Sequence, residues 1–125
     1  MTHPKLEMDP VARIRAICMR LPEGAEQPFG GHTAPSFRVR NKLFVTIYED
    51  RNAMCCKAGP GVQQALVGSD PARFFVPAYV GSKGWVGVRL DAGVDWGEIA
   101  ELIEDSYRII APKRISALLD AEAGP

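Results

Sequence analysis

The sequence predicts an α+β fold: a two-layer sandwich of order α-βββ-α-ββ-α, with an antiparallel five-stranded sheet and its helices on one face. Three observations lead there. Apolar residues recur at helical spacing near both ends of the chain, at Val11, Ile14, Ile17, Cys18 and Leu21 and again at Trp96, Ile99, Leu102, Ile103, Ser106 and Ile110. Between them, residues 36–90 contain short alternating apolar runs. Tight polar turns separate the first of these runs, and such turns join strands that run antiparallel.

Each element carries its own signals. Asp9-Pro10 starts the first helix, with Asp as cap acceptor and Pro at the first helical position, where its missing N–H costs nothing. Pro22 ends that helix at Leu21. Ser36–Val39 reads as a first strand, turned by Arg40-Asn41-Lys42 into Leu43–Glu49. A second turn at Glu49-Asp50-Arg51-Asn52 leads into Ala53–Lys57. Gly59-Pro60-Gly61 breaks the pattern before a short helix over Val62–Val67, closed by Ser69-Asp70-Pro71. Phe74–Val80 and Trp85–Leu90 form a hairpin across Gly81-Ser82-Lys83-Gly84, with Pro77 marking an edge or a bulge and Tyr79 facing Trp85. Asp95 and Glu98 form a capping box for the last helix, which Pro112 kinks or restarts before Ile115, Leu118 and Leu119.

The chain has 125 residues and is 46% hydrophobic, enough for one domain, 1–125, around one core; 1–8 and 121–125 are expected to fray. No apolar run approaches the roughly 20 residues of a membrane helix. The start carries Lys5, Glu7 and Asp9 without an apolar block, so no signal peptide is read and a cytoplasmic protein without membrane attachment is expected. Cys18, Cys55 and Cys56 are an odd set with two adjacent members, so buried free thiols are expected rather than a disulfide.

Catalytic constellations are missing from the pattern. The chain has two histidines: His3 near the start, and His32 after Phe29-Gly30-Gly31, where flexible glycines make the one candidate small-molecule or catalytic site. No paired Cys-x-x-Cys or His-Glu-x-x-His spacing offers a metal site, and the helical acids Glu98, Glu101, Glu104 and Asp105 read as a solvated face. Gly81-Ser82-Lys83-Gly84 lacks the phosphate-loop frame and joins strands. A non-enzymatic protein without catalytic residues, metal or cofactor is therefore expected.

The charges are unevenly spread. Fifteen basic and fifteen acidic residues cancel, yet residues 36–90 carry eight basic and three acidic side chains, and residues 91–125 carry three basic and eight acidic ones. Arg38, Arg40, Lys42, Lys57, Lys83 and Arg89, on strands or at their tips, are the candidate contacts to a phosphate backbone. The competing explanation is solubility, since exposed strand positions are often Lys or Arg.

Leu21-Pro22-Glu23, Pro35-Ser36-Phe37-Arg38-Val39, Lys42-Leu43-Phe44, Lys57 leading into Gly59-Pro60, Pro77-Ala78-Tyr79-Val80, Gly84-Trp85-Val86, Ser106-Tyr107 and Ala111-Pro112-Lys113-Arg114 follow one another in an order that resembles the MmcQ/YjbR family. The resemblance runs from about residue 10 to 120. It implies a two-layer arrangement related to secretion chaperones and frataxin, and a DNA-binding "double wing" of two hairpins flanking the duplex. Here the wings would be the 36–57 meander and the 74–90 hairpin, which hold the basic residues. A frataxin-like iron role does not fit, because the first helix carries arginines where an acidic ridge is wanted. Two functions are thus expected in competition: weak, sequence-tolerant binding of duplex DNA through phosphates, or a protein-interaction or chaperone-like module working through its sheet or acidic helix.

Overall fold

The computed structural model describes residues 9–28, 34–48, 52–91 and 93–123. His3, His32 and most of the Glu49-Asp50-Arg51-Asn52 turn lie outside those residues. Along the chain run α1 (Pro10–Met19), β1 (Gly24–Pro28), β2 (Pro35–Val39), β3 (Lys42–Tyr48) and β4 (Ala53–Lys57). Then come α2 (Val62–Ser69), β5 (Phe74–Phe75), a single 3-10 turn (Gly81–Lys83), β6 (Trp85–Arg89), α3 (Trp96–Ile110) and α4 (Lys113–Ala123).

The sheet is antiparallel, in the order β1-β2-β3-β4-β6-β5. It has six strands where the sequence suggested five. The additional one, β1, reads Gly-Ala-Glu-Gln-Pro and is mostly exposed, so it carries no apolar alternation. Backbone pairing with β2 holds it at the sheet edge. The second hairpin is also shorter than expected. β5 spans two residues, and Pro77 lies beyond it, where its missing N–H removes nothing from the ladder. Tyr79 does not face Trp85: it sits in the following turn at φ 66°, 96% exposed, whereas Trp85 is buried.

Both long helices start as their caps require. Asp9 accepts from the Ala12 N–H at 2.8 Å, and Asp95 from the Glu98 N–H at 3.1 Å. α3 stops at Ile110, and Pro112 restarts the chain as α4 rather than bending one continuous helix.

The core lies between α1, α3 and one sheet face. Ile14, Cys18, Ile99, Ile103 and Tyr107 meet Phe37, Val45, Met54, Cys56, Val86 and Val88 there. A register shift skips Phe44 between the pairs Phe37↔Val45 and Arg38↔Leu43. This bulge turns both Phe44 and Val45 into the core, and Phe44 meets the Tyr107 ring edge-on at 5.5 Å. Ser106 joins α3 to two central strands: its hydroxyl donates to the Phe44 carbonyl at 2.7 Å and accepts from the Lys57 N–H at 3.0 Å.

All three cysteines are buried and none is in a disulfide. Burial pushes the Cys18 and Cys56 thiols well above their ordinary pKa, so neither is a nucleophile at neutral pH.

Candidate functional site

Strand alternation and register place Ala25, Gln27, Ser36, Arg38, Leu43, Thr46, Tyr48, Ala53, Cys55, Lys57, Phe75, Trp85, Gly87 and Arg89 on the sheet face turned away from α1 and α3. Ala53, Cys55 and Trp85 are buried yet stand outside the main core cluster, as that placement requires. None of these strand residues is acidic. Glu26, the acid on β1, pairs in register with core-facing Phe37 and reaches Arg15 of α1 at 2.8 Å.

Seven of the described cations sort into two kinds by their partners. Arg15, Arg40, Arg73 and Arg108 each bind a carboxylate: Glu26, Glu23, both Asp70 and Glu98, and both Glu104 and Asp120. Arg38, Lys57 and Arg89 instead donate to backbone carbonyls. Arg38 reaches Asn41 O at 3.1 Å, Lys57 reaches Lys83 O, and Arg89 reaches Ala72 O at 3.2 Å. A carbonyl orients a cation without cancelling its charge. The three cations so held all belong to the acid-free face.

Of the six basic candidates, Arg40 differs in having a carboxylate partner. It is bound in a fork to Glu23, and its hydrogen bond lowers the Glu23 pKa. Lys42 is exposed at the start of β3, in register with core-facing Val39, and so off the acid-free face. Lys83 sits on the 3-10 turn beside Lys57. Arg38, Lys57 and Arg89 remain together.

Aromatic and small side chains shape the rest of this face. Ser36, Thr46, Cys55 and Gly87 line up across β2, β3, β4 and β6. A Cβ on Gly87 would fall 2.3–2.6 Å from three carbons of the Phe75 ring, so the glycine makes room for that ring. The Arg89 guanidinium lies over the same ring, 4.9 Å from its centre. Thr46 is 5% exposed, and among the described residues its hydroxyl has no hydrogen-bond partner; the Arg38 Nε–H is likewise buried and has none among them.

The YjbR family model matches residues 19–109, well over half of the chain and a span that holds every strand. This chain belongs to the YjbR family. The crystal structure of the Deinococcus radiodurans protein DR2400, described by its DUF419 domain, superposes on this YjbR chain with a TM-score of 0.74 at 22% identity. The match covers 82% of this chain and 79% of that one, and at this identity it speaks for the fold alone. No curated protein matches the chain.

A second feature of this YjbR domain lies where β4 ends. An open cavity of about 630 Å³ is lined by Lys57, Ala58, the Gly59-Pro60-Gly61 loop, Gln63, Gln64, Val76, Gly81, Ser82, Lys83, Gly84 and Ile109. Buried Gln63 ties its walls together, donating to Gly81 O at 2.8 Å and Trp85 O at 2.6 Å. The residues around it hold two lysines and no acid. Among the described residues no cluster of His, Cys, Asp and Glu is arranged to hold a metal, and no helix is long and apolar enough to cross a membrane.

Proposed function

We propose that this protein is a non-catalytic, sequence-tolerant DNA-binding protein that meets phosphates with the acid-free face of its sheet. The observation that carries the reading is the segregation of cations. Arg38, Lys57 and Arg89 are the ones anchored on carbonyls, they share one face, and among the described residues of the strands no carboxylate on that face competes with a phosphate for them. Family membership is compatible with this and does not carry it, since a fold hosts many functions.

The reading narrows the contact set to three side chains set around a buried centre of Ser36, Thr46, Ala53, Cys55 and Gly87, away from the β2–β3 turn. From strand geometry, Arg38 and Lys57 start about 10 Å apart across two strand spacings, and Lys57 and Arg89 about 14 Å apart. No helix or ribbon enters a groove to read base edges, so binding is indifferent to sequence.

A fluorescence titration against duplex DNA at several salt concentrations tests the proposal. Three contacts give a log–log salt slope of roughly −3, because each phosphate neutralised releases about 0.9 counterion. Arg38→Ala and Arg89→Ala should each flatten the slope by about one. Arg40→Ala should leave it unchanged, because Arg40 is already committed to Glu23. No binding at low salt, or an equal loss with Arg40→Ala, ends the reading and leaves a protein partner as the better explanation.

A further inference from the structure

The cavity at the end of β4 has the volume of a small-molecule site, within the range of roughly 300–1,000 Å³ that such sites occupy. Its wall has two chemistries. Val76 and Ile109 are large apolar side chains left half exposed, and Pro60 and Ala58 extend that apolar side. Lys57, Lys83, Ser82 and Gln64 line it as well and supply its polar groups. The Lys57 ammonium is held by the Lys83 carbonyl and keeps its remaining N–H donors for another acceptor.

Two glycines let its walls pack closely. A Cβ on Gly81 would fall 2.4 Å from the Val76 side chain, and one on Gly84 would stand 3.9 Å from the Lys57 ammonium. Gly84 also has φ 87°, a conformation glycine adopts without strain. The walls are braced by Gln63, which is 6% exposed and bonded to two carbonyls. The cavity is thus already shaped before anything enters it.

We infer that this cavity binds a phosphomonoester carrying an apolar or aromatic body of nucleotide size. A monoester bears about two negative charges at neutral pH, which two ammonium groups match and one would not. A carboxylate carries half that charge, and an uncharged ligand leaves both lysines without a counter-charge. The body of the ligand lies against Val76, Pro60 and Ile109. The phosphate has two sources: a free nucleotide-like metabolite, or the phosphorylated end of a nucleic-acid strand whose interior lies on the sheet face. Lys57 adjoins both surfaces, but Lys83 and Ser82 belong to the cavity, and Arg38 and Arg89 to the sheet.

Nuclear magnetic resonance titration with a nucleoside 5′-monophosphate tests the inference, with the parent nucleoside as control. The monophosphate should shift the backbone amides of residues 59–64 and 82–84, and the nucleoside should not. Lys83→Ala, an exposed side chain away from the core, should weaken binding roughly tenfold, and Lys83→Arg should restore most of it. Binding should also weaken as pH falls through about 6, where the monoester takes up its second proton. Oligonucleotides with a 5′-phosphate and a 5′-hydroxyl then separate the sources. A Lys83-dependent preference for the phosphorylated strand identifies a strand end, and equal affinities identify the free small molecule. Equal shifts with nucleoside and nucleotide, or no Lys83 dependence with either phosphorylated ligand, overturn the inference. Either result leaves the sheet-face reading standing, because that reading is tested by Arg38→Ala and Arg89→Ala.

Discussion

The Ser106 hydroxyl, fully buried on α3, bonds the Phe44 carbonyl on one side and the Lys57 N–H on the other. The second bond fixes the backbone of a residue whose side chain belongs to both candidate surfaces. Ser106→Ala leaves a donor and an acceptor with nothing to replace the hydroxyl, and should cost about 2–3 kcal/mol in chemical denaturation. A loss below about 0.5 kcal/mol would show that water replaces the hydroxyl there. At this scale the sequence was informative about residue type and silent about partners. Arg38, Lys57 and Arg89 were legible as basic strand residues, and so was Arg40. Nothing local could show that Arg40 has a carboxylate partner, because Glu23 stands 17 positions away and meets it only in the fold. Ser106 reads in sequence as an inward position anchoring the last helix to the sheet, but its two partners on β3 and β4 appear only in the fold.

Elements with strong local signals matched their expected positions, strands β2, β3, β4 and β6 among them, and β1 and β5, which lack such signals, did not. Asp9-Pro10, the Asp95 cap and the Pro112 restart are local chemistry, and each falls where the sequence put it. β1 has no apolar alternation and is held by backbone bonds to β2, so no periodicity could reveal it. The hairpin after Phe74 was overread because Phe74-Phe75-Val76 is apolar, whereas the ladder ends at Phe75. That short strand depends on Gly87. Gly87→Ala should push the Phe75 ring off β6 and destabilise the protein by about 1–3 kcal/mol, the usual range for overpacking. In a Phe75→Ala background the same change should cost much less, because the clash is with that ring alone. Additive losses in the double-mutant cycle would mean that the Gly87 backbone, and not the ring, sets the requirement.

Across the whole molecule, the charge imbalance along the chain becomes an imbalance between layers. The strand-rich segment 36–90 is the basic one and the helical segment 91–125 the acidic one, so a two-layer fold turns a sequence dipole into a front and a back. Glu101 and Asp105 are exposed on α3, on the side of the sheet opposite Arg38 and Arg89. Packed layers are separated by about 10 Å, which exceeds the Debye length of about 8 Å at physiological salt and falls far short of the roughly 30 Å at 0.01 M. Their effect on DNA should follow the screening. Replacing both, as Glu101→Gln with Asp105→Asn, should raise the association rate for duplex DNA several-fold at about 0.01 M salt and by less than about 1.5-fold at about 0.15 M. The salt slope of the equilibrium constant should stay near its wild-type value, because neither residue touches a phosphate. Stopped-flow association at the two salt concentrations measures this directly. An acceleration as large at 0.15 M as at 0.01 M would place the acids within a few ångströms of bound DNA. The phosphates would then lie on the helical side, and the assignment of the acid-free sheet face as the binding surface would be wrong.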